Sequence, residues 1–233
     1  WFHAPHLPVV AGPKHTAMYA GHPKYAQHYY GCITALDEQV GRLRTELRTL
    51  GVAENTLLFF CSDNGPEGQA GQAPGTAGYL SGRKRSLLEG GIRVPGIVEW
   101  PARVKAGRIT DIPCVTSDYL PTLLDLVGAK PMADRPIDGM SLVPLIDGNL
   151  AKRGKPIGFE SKGQLAWIGD QYKIYSSGKA KNGQPEFKLF DLVADPSEKN
   201  DLAKTMPRLV KRLTGELTAW RASCQASATG KDY

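Results

Sequence analysis

An uninterrupted apolar run at residues 57–61 constrains the fold of this chain most strongly. The run reads Leu-Leu-Phe-Phe-Cys and does not alternate with polar residues, which is typical of a strand buried on both faces. It ends in a polar turn, Asp63-Asn64-Gly65-Pro66. In parallel α/β sheets, ligands bind beyond the carboxyl ends of the strands. The run therefore predicts a buried strand with a candidate ligand site directly after it.

An amphipathic helix is predicted immediately before this strand. Apolar residues recur at spacings of three and four between residues 33 and 50, as on one face of an α-helix, and Gly51 is a suitable helix stop. A helix, a buried strand and a polar turn in this order favour a βαβ-type layout in which the helix covers a sheet. The stripe consists of Ile33, Leu36, Val40, Leu43, Leu47 and Leu50.

The pattern of the sequence changes near residue 150. Before it, we expect loop at 1–25, a further strand at 95–100 and a helix at 117–128. After it, the sequence predicts a hairpin over 165–175, a strand at 187–192 and a single helix at 207–223. We therefore expect an α/β domain over residues 1–150 and a small antiparallel α+β subdomain over residues 151–233.

Composition argues against several classes of function. No apolar run approaches the roughly 18 residues of a membrane helix, so no membrane partner is expected. The net charge is +6, but the basic residues are scattered and do not alternate with aromatic residues, which disfavours nucleic-acid binding. The four cysteines lie far apart and form no CxxC pair, so buried free thiols are expected rather than zinc sites or disulfides. They are Cys32, Cys61, Cys114 and Cys224.

Asp63 and Asn64 are the first candidates for chemistry. A carboxylate and an amide oxygen at a strand end suit a hard divalent cation such as Ca²⁺ or Mg²⁺. The same residues also suit an ordinary turn in which Asp63 caps the backbone. The dipeptide alone does not decide between these interpretations.

Histidines and cations supply two further candidate groups. His3 and His6 lie in a proline-stiffened segment and could bind a metal or an oxyanion, or form an ordinary polar loop. Arg83, Lys84 and Arg85 lie next to glycine-rich sequence and could hold an anionic group, or form a solvated basic face.

Taken in order, these segments resemble the C-terminal portion of the type I sulfatase (arylsulfatase) family, which has an alkaline phosphatase-like fold. The most specific part is Ser-Asp-Asn-Gly at 62–65, followed by Lys84 and by Glu-Gly-Gly-Ile-Arg-Val-Pro at 89–95. The resemblance implies a mostly parallel sheet flanked by helices. The matching segments are 2–8, 36–41, 55–66, 82–95, 100–101, 118–123, 138–139 and 189–196.

The resemblance also implies roles for individual residues. Asp63 and Asn64 match the second pair of calcium ligands, and Lys84 matches a lysine that contacts the sulfate. His6, rather than His3, matches a histidine that contacts the sulfate near the leaving oxygen. Lys84 and His6 are therefore expected to be both catalytic and substrate-binding, because fixed positive charge stabilises the charge that develops as the S–O bond breaks.

Arg93 has no such counterpart. We expect it to be structural and to pair with Glu89, four residues earlier in the chain.

Other family features are absent from the 233 residues. The family's nucleophile is a formylglycine made from cysteine in a Cys-x-Pro-Ser-Arg signature, and none of the four cysteines lies in one. The family's N-terminal Asp-Asp calcium ligands and Lys-x-His motif are also missing. We therefore expect a calcium-dependent sulfuric ester hydrolase, seen incompletely, that is inactive as this isolated chain.

The resemblance leaves the substrate and the oligomeric state open. It implies a sulfated small molecule or sulfated polysaccharide as the partner, and a periplasmic or extracellular location. Two alternatives remain at this point. One is a phosphodiesterase or phosphonate hydrolase of the same fold, and the other is an inactive remnant that binds sulfated glycans through basic residues.

Overall fold

The structure is a computed structural model that describes residues 2–68, 74–130, 135–178, 180–181 and 184–231. The N-terminal part contains helices, two strands and a long excursion between those strands. Its elements are α1 (Pro13–Ala17), α2 (Lys24–Thr49), β1 (Leu58–Cys61), α3 (Glu89–Ile92), β2 (Gly96–Glu99), α4 (Tyr119–Leu126) and α5 (Val143–Ile146).

The rest of the chain is mostly antiparallel sheet followed by a long helix. Its elements are β3 (Ile157–Ser161), β4 (Gln164–Ile168), β5 (Tyr172–Ser176), β6 (Ala180–Lys181), β7 (Gln184–Pro185), β8 (Lys188–Asp191) and α6 (Pro207–Ala228). Short 3₁₀ turns lie at Ala53–Asn55 and Thr116–Asp118.

Helix α2 begins nine residues before the predicted apolar stripe, and the expected loop over 1–25 is wrong in part because it contains α1. Gly31 explains the close packing of this region, because a Cβ there would lie 2.8 Å from the Ala11 Cβ. The Ala11 N–H also donates to His28 Nδ1 at 3.1 Å. The predicted stop at Gly51 is confirmed, since this glycine has a φ of +70° just beyond the helix.

Strands β1 and β2 pair antiparallel, with Leu58 opposite Glu99 and Cys61 opposite Gly96. All four residues of β1 are half-buried rather than buried on both faces. Among the described residues, every strand pairing is antiparallel, so the expected mostly parallel sheet is not observed there. The physical reason is that an apolar run indicates burial of a strand but does not determine whether its neighbours in the sheet run parallel or antiparallel to it.

The C-terminal sheet has the strand order β3-β4-β5-β8, and α6 packs on one of its faces. The predicted hairpin is present as β4 and β5, and the predicted final helix as α6. This face forms one buried cluster, which comprises Leu165, Trp167, Ile174, Leu189, Leu213 and Leu217.

The opposite face of the same sheet covers the segment that leads into α3. Leu87 is buried there with Ala166, Tyr175 and Phe190. The C-terminal sheet therefore lies between α6 and residues 87–92. This arrangement makes the sheet a support for the chain around α3.

Buried charges join the same parts of the chain. Lys173 on β5 is fully buried, with its ammonium 2.9 Å from Glu89 Oε1 and 2.8 Å from Glu198 Oε1. The expected pairing of Arg93 with Glu89 is therefore wrong. Glu89 faces the lysine, and the Arg93 guanidinium lies 3.9 Å from Asp111 instead.

A second buried ion pair joins Arg153 to Asp118. The guanidinium donates to both carboxylate oxygens, at 2.6 and 2.7 Å. The Asp118 carboxylate also accepts from the Val115 and Met140 N–H groups, both at 2.9 Å. The carboxylate is thus fully hydrogen-bonded within the protein.

The four cysteines are free thiols, as expected, but only Cys32 is buried and Cys114 is exposed. In the part of the chain that the structure describes, no helix has the length and apolar character needed to cross a membrane.

Candidate functional site

The polar turn at residues 63–66 follows β1 and is called the acidic turn below. It presents two oxygen ligands. Asp63 is exposed and Asn64 is half-buried. The Asn64 side-chain N–H donates to the Gly65 carbonyl at 3.0 Å, and the Ser62 hydroxyl donates to the Asn64 carbonyl at 3.0 Å. These bonds fix the turn. Within the described ranges, they leave the Asp63 carboxylate and the Asn64 amide oxygen without a hydrogen-bond partner.

Glycines bring this turn directly onto the backbone around α3. The Gly65 N–H donates to the Gly91 carbonyl at 2.8 Å. A Cβ at Gly65 would lie 1.9 Å from the Gly90 carbonyl oxygen, and one at Gly91 would lie 2.0 Å from the Ser86 carbonyl oxygen. No side chain fits at either position, so the glycines of the motif permit a close backbone contact.

Lys84 is held beside the same turn. Its backbone N–H donates to the Pro66 carbonyl at 3.2 Å, two residues beyond Asn64. Its ammonium lies 3.3 Å from Glu67 Oε2, and its side chain is 17% exposed. The structure thus places the segments of Asp63, Asn64 and Lys84 next to one another.

Glu67 was not identified from the sequence, although it follows the polar turn directly. Its carboxylate accepts from the Arg85 guanidinium at 2.5 and 3.1 Å. The Arg85 guanidinium, the Gly68 N–H and the Lys84 ammonium lower the pKa of Glu67 to about 2. Glu67 is therefore ionised at neutral pH and partly balances both cations.

A surface pocket of about 320 Å³ is lined by residues that precede Lys84 in the sequence. Arg83 forms one wall, and its guanidinium donates to the Glu67 carbonyl at 2.8 Å and to the Gly75 carbonyl at 2.7 Å. The pocket lies in the glycine-rich stretch between β1 and α3, of which residues 69–73 lie outside the described residues. The pocket is lined by Thr76, Ala77, Gly78, Leu80, Gly82 and Arg83.

His6 lies in an exposed loop before α1. Its Nδ1 is 2.7 Å from the Leu7 carbonyl oxygen, and its ring centroid is 4.9 Å from that of His3. A carbonyl only accepts, so Nδ1 carries a proton and Nε2 is the nitrogen left for a ligand. Within the part of the chain that the structure describes, these local contacts do not join His6 to Lys84 or to Asp63.

The other histidines have structural partners. His28 Nδ1 accepts from the Ala11 N–H, and His15 Nε2 lies 3.0 Å from a carboxylate oxygen of Glu38. His22 packs edge-on against Tyr30 with a centroid distance of 5.3 Å.

A metal ion fits the acidic turn only in part. Among the described residues, no three His, Cys, Asp or Glu side chains come together as a metal site. The Asp63 carboxylate and the Asn64 amide are hard oxygen ligands of the kind that Ca²⁺ prefers. Calcium takes about six to eight ligands, so two side chains would have to be supplemented by others.

Comparison with known proteins identifies relatives of this chain. A family model described as Sulfatase matches residues 1–129. The steryl-sulfatase of Rattus norvegicus is 36% identical over 148 residues, which cover 58% of this chain and 25% of the relative. The N-acetylgalactosamine-6-sulfatase of Canis lupus familiaris is 35% identical over 146 residues, which cover 60% of this chain and 28% of the relative.

A solved structure agrees over nearly the whole chain. The crystal structure of Ps i-CgsB in complex with k-i-k-neocarrahexaose superposes with a TM-score of 0.81 at 31% identity. The match covers 94% of this chain and 48% of that structure. The chain therefore spans about a quarter of the length of these curated relatives and about half of this structural one.

Proposed function

Because this chain belongs to the sulfatase family, we propose that it supplies part of the active site of a hydrolase that cleaves sulfate monoesters. The observation that carries the proposal is the contact between the acidic turn and the turn of Lys84. The Lys84 N–H donates to the Pro66 carbonyl there, so the segment of the cation lies against the segment of the two oxygen ligands. Such a pairing suits a tetrahedral anion bound beside a divalent metal.

We propose that Asp63 and Asn64 contribute two ligands to a Ca²⁺ ion. When bound, this ion polarises the nonbridging oxygens of the sulfate group. Lys84 binds the same group through its ammonium, which already forms an ion pair with the Glu67 carboxylate. Ionised Glu67 keeps Lys84 oriented until an anion replaces it.

His6 is proposed to bind the sulfate and to protonate the departing alcohol. The Nδ1 proton is engaged by the Leu7 carbonyl, which leaves Nε2 to carry the proton that is transferred. A general acid in this position lowers the cost of expelling an alkoxide.

The nucleophile is proposed to be a formylglycine outside residues 1–233, since the Cys-x-Pro-Ser-Arg signature does not occur in them. The isolated chain is then expected to be inactive. The alkaline phosphatase-like parallel sheet and a periplasmic or extracellular location belong to the same proposal.

We propose a carbohydrate sulfate as the substrate class. Two comparisons support it: the saccharide bound in the Ps i-CgsB crystal structure, and the similarity to an N-acetylgalactosamine-6-sulfatase. The pocket lined by Thr76 and Arg83 offers backbone groups and the Arg83 side chain to such a ligand.

The test is sulfate release by the full gene product that contains residues 1–233. An aryl sulfate, a sulfated disaccharide and a phosphonate monoester are compared as substrates. Lys84→Ala and His6→Ala should each lower kcat/KM for sulfate esters by about 100-fold or more. Exposed Lys105→Ala is the control. Preference for the phosphonate ester, or a Lys84→Ala enzyme as active as the control, contradicts the proposal.

A further inference from the structure

Lys84 occupies the corner of a tight turn whose backbone is strained. The Ser86 N–H donates to the Arg83 carbonyl at 2.9 Å, which places Lys84 and Arg85 at the two central positions. Arg85 has a φ of +75°. A positive φ at the second central position is what a type II turn requires, and glycine or asparagine is favoured there. An arginine adopts this conformation only when its surroundings hold it.

Gln164, at the start of β4, holds this turn. Its side-chain amide N–H donates to the Arg85 carbonyl at 2.7 Å. Its amide oxygen accepts from the Leu87 N–H at 3.2 Å and from the Tyr175 hydroxyl at 3.1 Å. One side chain therefore binds the backbone on both sides of Ser86, and Tyr175 fixes the orientation of its amide.

The other contacts of the turn all depend on its geometry. The Glu67 carboxylate forms ion pairs with both Lys84 and Arg85, which occupy the two central positions of the turn. If the Arg85 backbone relaxed to a negative φ, the peptide that follows Lys84 would rotate. The Lys84 ammonium would then lose its place beside the Glu67 carboxylate.

We propose that Gln164 is a positioning residue for Lys84, acting through the strained Arg85 backbone. This inference rests on the proposed function, because it gives the C-terminal sheet a part in orienting the cation that binds the sulfate. Gln164 does not itself touch the substrate. Its contribution is to keep Lys84 in the anion-binding geometry before the anion arrives.

The experiment follows the Lys84 side chain by NMR in the full gene product that contains residues 1–233, labelled at its lysines. The Lys84 resonance is assigned by its loss in Lys84→Arg, and inorganic sulfate is the titrant. Gln164→Ala removes all three bonds. Gln164→Glu keeps the acceptor for Leu87 and Tyr175 but loses the donor to Arg85. This variant replaces Gln164→Ala in the experiment if the alanine variant does not fold.

A matched control and a rescue variant separate positioning from general destabilisation. Gln171 lies in the same hairpin, and its amide donates to Asp191 at 2.8 Å, so Gln171→Ala removes a comparable bond far from the turn. Arg85→Gly removes the strain, because glycine adopts a positive φ readily.

We expect the Gln164 variants to shift the Lys84 resonance without sulfate and to raise the sulfate Kd at least about fivefold. Gln171→Ala should match wild type, and Gln164→Ala in the Arg85→Gly background should change the Kd less than twofold. Gln164 variants that match Gln171→Ala overturn the inference. A wild-type chain whose Lys84 does not respond to sulfate contradicts the proposed function instead, while the sulfate-free resonance still tests Gln164.

Discussion

Replacing Lys173 with methionine tests how the C-terminal sheet supports the segment that carries the site. Lys173 is fully buried, and its ammonium lies within 2.9 Å of Glu89 and Glu198. Glu198 also accepts the Glu89 N–H at 2.6 Å, at the start of α3. Methionine keeps the volume of the side chain but removes its charge, so two buried carboxylates lose their cation.

The decrease in the free energy of unfolding caused by Lys173→Met should be large at neutral pH. Removing one partner of a buried ion pair costs about 3–5 kcal/mol, because the remaining charge stays desolvated. Burial raises the pKa of Glu198 even with Lys173 present. Without the lysine, the folded state holds a proton that the unfolded state releases above about pH 4.5, so stability falls as the pH rises. The penalty should therefore be smaller at about pH 5 than at about pH 8.

The assay is urea unfolding of both chains at the two pH values. Lys14→Met is the matched control, because Lys14 lies 2.9 Å from Glu38 but is 73% exposed. An exposed pair contributes little, so this variant should unfold like wild type. A Lys173→Met chain that is as stable as the control at both pH values refutes the reasoning.

Three further substitutions test other contacts by the same unfolding measurement. Gly65→Ala places a Cβ 1.9 Å from the Gly90 backbone and should destabilise the chain by about 1–3 kcal/mol. Gly41 lies on α2, and a Cβ there would have no neighbouring atom within 4 Å. Gly41→Ala should therefore stabilise the chain by about 0.5–1 kcal/mol. Arg153→Met leaves the buried Asp118 carboxylate without its cation and should cost about 3–5 kcal/mol. Equal stability of the two glycine variants, or a wild-type-like Arg153→Met, contradicts the packing described above.

The sequence predicted those elements whose patterns are local. The apolar stripe from Ile33 to Leu50 predicted α2, and the apolar run before Asp63 predicted β1. Both patterns are formed by residues that lie close together in the sequence, so they can be recognised without knowledge of the fold. The direction of β1 could not be predicted in this way. Pairing with β2 depends on where residues 62–95 return the chain, and a continuous apolar run is compatible with either direction.

The site shows the same division. The polar turn at Asp63 and Asn64 could be predicted from its place after a strand, and the resemblance indicated Lys84. Glu67 and Gln164 could not be found in this way. Glu67 matters only because the turn folds back onto it, and Gln164 contacts the Lys84 turn from about eighty residues later in the chain.

The placement of His6 stays a prediction, because its described contacts lie within its own loop. A paramagnetic ion measures it most directly, since Mn²⁺ has the same preference for oxygen ligands and broadens nearby NMR signals. If Asp63 and Asn64 hold a cation beside His6 and Lys84, Mn²⁺ added to the full gene product that contains residues 1–233 should broaden the signals of these two side chains well before those of His28. Asp63→Asn should abolish that difference. Equal broadening of His6 and His28, or no effect of Asp63→Asn, contradicts a shared sulfate site.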